Sequence, residues 1–199
     1  MTYRVTKRAI DLSVSGAALV VLAPLLLALT VAIALGSRGA PLFRQRRVGR
    51  FGRQFRMWKF RTMVWDAEQR RAELLAQSSE GGWLHVDHDP RVTRIGRVLR
   101  RTSMDELPQL LNVVSGDMSL VGPRPLPVVE GDRLPDWSVP RMEVRPGVTG
   151  LWQVRGRTQL DLASMLRLDC EYVRALSWRT DLKILALTVP AVLTGRGAN

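Results

Sequence analysis

Cysteine is almost missing from this chain of 199 residues. The single copy, Cys170, excludes an internal disulfide framework and fits a reducing compartment. Histidine is nearly as scarce. Its two copies, His85 and His88, stand in the stretch His-Val-Asp-His-Asp, but no third ligand cluster lies near them, so no metal centre is expected there. Acidic residues are outnumbered, with 18 Asp and Glu against 30 Lys and Arg, a net charge of +12 and a pI near 11.4. Such a balance implies polyanionic company: nucleic acid, anionic lipid headgroups or a nucleotide. Helix-turn-helix, zinc and RNA-binding signatures are missing too, which argues against nucleic acid. There is no repeat or low-complexity tract, and the length suits one domain with a real core.

What the chain does have is one long apolar run. From Ile10 to Leu35 nearly every residue is Val, Leu, Ala, Ile, Ser, Thr or Gly, with Asp11 the only charge. At 1.5 Å per residue this is enough to cross a bilayer. A signal peptide is the alternative, but a basic segment follows rather than a mature exported domain. Basic residues flank both ends, Arg4, Lys7 and Arg8 before and Arg38, Arg44, Arg46 and Arg47 after. Both flanks prefer the cytoplasm. Pro24, near the middle, removes a helical hydrogen bond, and Ser13, Ser15 and Gly16 can help satisfy freed backbone groups. A re-entrant helix-break-helix over residues 1–37 reconciles these facts; a kinked spanning helix is the plainer alternative.

Residues 41–63 alternate basic and apolar side chains and read as a hairpin around Gly49 and Gly52. Residues 64–77 look helical, Gly81-Gly82 ends that element, and Arg91 to Arg101 carries Val92, Ile95, Val98 and Leu99 at helical spacing. An irregular connection over 126–147 leads to an amphipathic helix from Leu162 to Trp178, with Cys170 on its apolar stripe. Leu182 to Leu193 is apolar, holds Pro190 and is too short to span, so it packs or lies at the interface. The expected fold is therefore α/β, mostly helical with a few short strands. Residues 38–199 are expected to form the cytoplasmic-face domain, with interfacial helices, that would carry any catalytic site.

The chemistry gathers between residues 100 and 157. Asp105 and Glu106 are adjacent at a helix start, just after Arg100 and Arg101. Ser103-x-x-Glu106 matches a capping box, so Glu106 has a structural reading beside a functional one. Asp105, held ionised by the helix dipole and nearby arginines, suits a nucleophile or a metal ligand; an exposed first-turn acid is the alternative. Arg124, between Pro123 and Pro125, is fixed in extended backbone and suited to bidentate phosphate contact, or is a surface arginine. The segment Arg145 to Arg157 joins glycines with Arg145 and Arg155, a composition suited to a diphosphate, with Trp152 stacking a base or packing in the core.

Together these segments resemble the bacterial sugar transferase family, the monotopic polyprenyl-phosphate phosphoglycosyltransferases. The resemblance covers most of the chain: Lys7-Arg8 with Ile10-Asp11, Pro24, Lys59-Phe-Arg-Thr-Met63, residues 89–96, the block from Asp105 to Pro125, and Pro146 to Val154. It implies that Asp105 attacks the β-phosphorus of a nucleoside diphosphate sugar, with Glu106 as acidic partner and Arg100 and Arg124 near the phosphate. The phosphosugar then passes from Asp105 to polyprenyl phosphate, a first membrane step of polysaccharide or glycoconjugate synthesis. Mg²⁺ is the implied metal, with Asp105 as ligand. The implied location is the cytoplasmic face of the bacterial inner membrane, in contact with membrane lipid. Leu151-Trp-Gln-Val154 resembles members using UDP-glucose or UDP-galactose. Ala23 departs from the family's usual serine before the membrane proline, which weakens the re-entrant reading. Without extra N-terminal helices the chain resembles the minimal catalytic form, and a homodimer is compatible with an exposed amphipathic surface.

Overall fold

The computed structural model describes residues 2–67, 69–70, 89–131, 133–156 and 161–193. Most of the helix expected over 64–77, Gly81-Gly82 and both histidines lie outside the described residues.

The apolar run forms α1, Thr2–Gly36, 35 residues long. Pro24 sits inside it, and the helix continues through the proline rather than breaking in two. One lost N–H bond is not enough to end a helix whose flanking turns are intact. Among the described residues this is the one helix long and apolar enough to cross a membrane. Much of its surface is open, with Val20 and Val21 each 76% exposed.

Both ends of α1 are nevertheless tied to the remainder of the chain. Near its start, Asp11 accepts from the Ser119 hydroxyl at 2.6 Å and from the Leu120 amide at 3.3 Å. Lys7 pairs with Asp181 at 2.9 Å, and the Tyr3 hydroxyl donates to the same carboxylate at 2.8 Å. Arg8 donates to the Val113 carbonyl at 2.7 Å and the Val114 carbonyl at 3.2 Å. Near its end, Ile33 is buried with Phe60 and Leu99, and Leu26 and Leu29 pack against that cluster.

The expected hairpin is present as β1, Leu42–Val48, and β2, Gln54–Phe60, antiparallel with Leu42 opposite Phe60. Phe51 (φ 57°) and Gly52 (φ 74°) turn the chain between them. The alternation places Arg44 opposite Trp58, and its guanidinium stacks 3.7 Å above the indole. Helix α2, Arg94–Arg101, begins after Thr93, whose hydroxyl accepts from the Gly96 amide. Helix α3 is Gln109–Ser115, ended by Gly116 at φ 96°.

Strand β3, Ser119–Val121, pairs in parallel with the later stretch Gly147–Thr149, while β4, Leu126–Pro127, joins the free edge of β1. A short helix α4, Val128–Gly131, and a 3-10 stretch over Asp136–Glu143 occupy the expected irregular connection. Then come β5, Gly147–Thr149, α5, Leu151–Arg155, α6, Leu162–Arg174, and α7, Trp178–Leu193. The core lies where β3, α5, α6 and α7 meet, built on Val121, Leu151, Tyr172 and Ile184. Cys170 is buried, as its place on the α6 stripe implies. On α7, Ile184 faces the core while Leu182 and Val189 stay exposed.

Candidate active site

The site is assembled from three close approaches of backbone. In the first, Asn112 of α3 ties that helix to β2. Its buried side chain accepts from the Trp58 amide at 2.9 Å and donates to the Arg56 carbonyl at 2.9 Å. With β2 set at that height, Lys59 reaches the turn over Met104–Glu106. Its Nζ donates to Glu106 Oε1 at 2.6 Å and lies 3.9 Å from Asp105 Oδ2.

The second approach brings α2 against the end of β2. A Cβ on Gly96 would fall 2.0 Å from the Thr62 carbonyl oxygen, so only glycine lets the two backbones touch. Thr62 Oγ1 then accepts from Arg100 Nε at 2.9 Å, and the Arg100 charge is felt at Asp105. The chain enters the acidic turn through Ser103 at φ 55°, a left-handed conformation costing a non-glycine residue about 1 kcal/mol. The expected capping box does not form. The Ser103 side chain makes no cap bond, and the Glu106 carboxylate is drawn instead to Lys59.

The third approach fixes the Pro123-Arg124-Pro125 turn. A Cβ on Gly122 would lie 2.5 Å from the Arg145 carbonyl oxygen, and the Gly147 amide donates to the Pro123 carbonyl at 2.8 Å. Buried Arg141, paired with Asp169 at 2.7 Å, also donates to the Arg124 carbonyl, and Arg47 donates to the Pro125 carbonyl at 3.2 Å. The backbone is thus clamped while the Arg124 side chain stays free to face the acids. Its Nη1 is 3.7 Å from Glu106 Oε1, and its guanidinium carbon lies 5.2 Å from the centre of the Trp152 ring. Trp152 is itself buried, in agreement with its core reading.

The two carboxylates are not equivalent. Burial pushes Asp105 above the usual aspartate range; Lys59 pulls it down, Glu106 pushes it up and Arg100 pulls it down, and burial prevails. Burial also works against ionised Glu106, but Lys59 and Arg124 outweigh it and hold this carboxyl down at about 2. The direction at Asp105 is opposite to that expected from the helix dipole and arginines, because burial of the carboxylate outweighs the pull of Lys59 and Arg100. Asp105 is left as the acid with no cation closer than 3.9 Å among the described residues.

Arg145 and Arg155 are not brought to these acids. Arg145 donates to the Gly116 carbonyl at 2.8 Å and lines a separate cleft at the start of α1. Arg155, on α5, pairs with Glu171 at 3.0 Å on an exposed surface. Conversely Lys59 and Thr62, which entered only within the Lys59-Phe-Arg-Thr-Met63 segment of the resemblance, and Arg47, which entered only as a basic flank, join the site without having been given a role there. Among the described residues no cluster of three or more His, Cys, Asp or Glu is placed to hold a metal. One available carboxylate, Asp105, still fits Mg²⁺, which takes one or two carboxylates and completes its shell with substrate phosphates and water.

A partly buried acid pair faced by a lysine and two arginines thus stands in a domain that also carries an exposed apolar helix long enough to cross a membrane. The chain belongs to the bacterial sugar transferase family, whose sequence profile matches residues 2–195. It is 46% identical over 162 residues to the galactosyl transferase CpsE of Streptococcus agalactiae, covering 80% of this chain and 36% of that protein. It is 37% identical over 197 residues to the exopolysaccharide production protein ExoY of Rhizobium meliloti, covering 96% and 87%. It is 43% identical over 197 residues to the UDP-glucose:undecaprenyl-phosphate glucose-1-phosphate transferase of Caulobacter vibrioides, covering 94% and 70%. The chain thus spans little more than a third of the length of CpsE but most of ExoY.

Proposed function

We propose that this protein transfers a sugar-1-phosphate from a nucleoside diphosphate sugar, a UDP-hexose, to polyprenyl phosphate, through a phosphosugar held covalently on Asp105. The observation that carries the reading is the division of labour between the acids. Glu106 is locked to Lys59 at 2.6 Å, while Asp105 beside it has no such partner and is free to act. The Caulobacter relative named for glucose-1-phosphate transfer from UDP-glucose to undecaprenyl phosphate supports the transfer itself.

In the first half-reaction an Asp105 carboxylate oxygen forms a bond to the β-phosphorus. The bond from that phosphorus to the bridging oxygen breaks, and the nucleoside monophosphate leaves with the electron pair. In the second, a phosphate oxygen of the polyprenyl phosphate attacks the same phosphorus and Asp105 is released as carboxylate. Neither step needs a proton from the protein. Arg100 and Arg124 bind the phosphate oxygens, and Lys59 offsets their charge. Glu106 is a positioning residue that orients Lys59 and Arg124. Mg²⁺, held by Asp105 and the donor's phosphates, would supply further neutralisation of phosphate charge.

In this reading the site lies at the inner membrane, on the cytoplasmic face, with the continuous helix α1 bending at Pro24 inside the bilayer so that both of its ends return to that face. Supporting this topology, the two ends of α1 contact the same domain, Asp11 through Ser119 and Ile33 through Phe60 and Leu99, while Val20 and Val21 between them face outward. A homodimer is compatible with the exposed apolar face of α7. The test is a donor panel: detergent-solubilised protein with polyprenyl phosphate should release UMP from UDP-glucose or UDP-galactose. Failure to release UMP from any UDP-hexose, with the lipid present and the fold verified, refutes the assignment.

A further inference from the structure

A second charged cleft, open to solvent and with a cavity volume of about 70 Å³, lies where α1 begins, away from the acid pair. Arg4, Lys7 and Arg8 of α1 line it from one side, and Arg50 and Arg145 from the other. The acids nearby are largely taken. Asp11 is held by Ser119 and Leu120, and Asp181 by Lys7, Tyr3 and Tyr172. Glu143 is the remaining carboxylate, exposed at the rim.

The arginines, by contrast, lack acidic partners. Arg8 donates to the carbonyls of Val113 and Val114, Arg50 to that of Glu143 at 3.0 Å, and Arg145 to that of Gly116. Among the described residues none of the three is ion-paired with a carboxylate. Burial lowers the Arg50 guanidinium, and repulsion from Arg145 and Arg4 lowers it further, so these cations are close enough to oppose one another. Arg4, Lys7, Arg8, Arg50 and Arg145 outnumber Asp11 and Glu143 in this cleft, and the excess of positive charge is a cost unless a further anion joins them.

We propose that this cleft is a second phosphate site, which takes the phosphodiester headgroup of an anionic membrane lipid. Its position selects the ligand. The cleft adjoins the first turns of the apolar helix, at the level where that helix meets the domain, and its wall carries Tyr3, Val144 and Leu176 beside the cations. Guanidinium forks grip the phosphate oxygens, and the apolar wall accepts the first carbons of the lipid. A free inorganic phosphate would use the cations but leave that wall bare.

The experiment measures binding to the full chain in neutral detergent, without donor or turnover, so its failure and the failure of the transfer reaction remain separable. The probes are dihexanoyl-phosphatidylglycerol, dihexanoyl-phosphatidylcholine and inorganic phosphate, read by calorimetry. Phosphatidylglycerol should bind at least tenfold more tightly than either of the others. The double variant Arg4→Gln, Arg50→Gln should lose at least tenfold of that affinity, and Arg38→Gln none. Arg4→Glu, an exposed first-turn change that leaves the core untouched, serves if the double variant is unstable and should weaken binding in the same direction. Equal binding of the two lipids overturns the site, as does unchanged affinity in the variants. Inorganic phosphate binding as well as the lipid overturns the lipid assignment.

Discussion

Replacing Lys59 by methionine keeps most of the stem and removes the one cation, among the described residues, within hydrogen-bond distance of the acid pair. The cost follows from Glu106, whose carboxyl is held at about 2 against an ordinary 4.5. That displacement corresponds to about 3 kcal/mol at 1.36 kcal/mol per unit. Lys59 is the larger favourable contributor, with Arg124 behind it. Both partners are less than one-fifth exposed, so solvent screening trims the figure modestly, and Lys59→Met should cost about 2 kcal/mol at pH 7.

The pH dependence has a definite sign. A depressed carboxyl contributes stability that is present above 4.5 and lost as pH falls towards 2, so the variant should lose less stability than the parent across that window. Urea unfolding in detergent, followed by circular dichroism, measures both quantities. A double-mutant cycle with Glu106→Gln should return a coupling of about 1–3 kcal/mol. The transfer rate should fall about a hundredfold, since a cation opposite phosphate charge has gone. A coupling below about 0.5 kcal/mol, or an unaltered acid limb of stability, would refute the role given to this pair.

Asn112→Ala should strand the Trp58 amide and the Arg56 carbonyl and cost about 2–5 kcal/mol, read as a lower melting temperature; a change under about 1 kcal/mol would show that β2 is held otherwise. Gly96→Ala drives a Cβ into the Thr62 carbonyl, so it should displace the threonine that aims Arg100 and reduce activity together with stability; a protein with parental activity and melting temperature would contradict that close packing. Arg124→Lys keeps charge but loses the planar fork, and should be impaired nearly as much as Arg124→Ala; parental kinetics in both would reduce Arg124 to a surface residue.

Where local rules suffice, the sequence was readable. Alternating residues with Gly49 and Gly52 are enough to specify the hairpin, and the period of α6 is enough to bury Cys170. Adjacent Asp105 and Glu106 with the proline-flanked Arg124 were legible as a site because their separation is short or their backbone restricted. What was hidden depends on register across long separations. Lys59 is one of many cations along an alternating strand, and only the clamp by Asn112 reveals which of them meets the acids. The same blindness misdirected Arg145 and Arg155. A glycine-rich arginine segment suits phosphate anywhere, but Arg145, just before β5, donates to the Gly116 carbonyl and Arg155, on α5, pairs with Glu171. Ser103 matched a capping pattern that its left-handed backbone does not allow to close.

The most direct measurement concerns Asp105. Protein incubated with a UDP-hexose labelled with ³²P at the β-position, without polyprenyl phosphate, should release UMP in an amount bounded by enzyme and retain the label on the chain. Adding polyprenyl phosphate should then move the label to lipid. Asp105→Asn should retain no label and lose several orders of magnitude in turnover, as expected for loss of a nucleophile. Its folding should be unimpaired, since the Asp105 side chain has no cation closer than 3.9 Å to give up. An Asp105→Asn protein that still becomes labelled, or turns over at near the parental rate, would contradict a covalent intermediate on this residue.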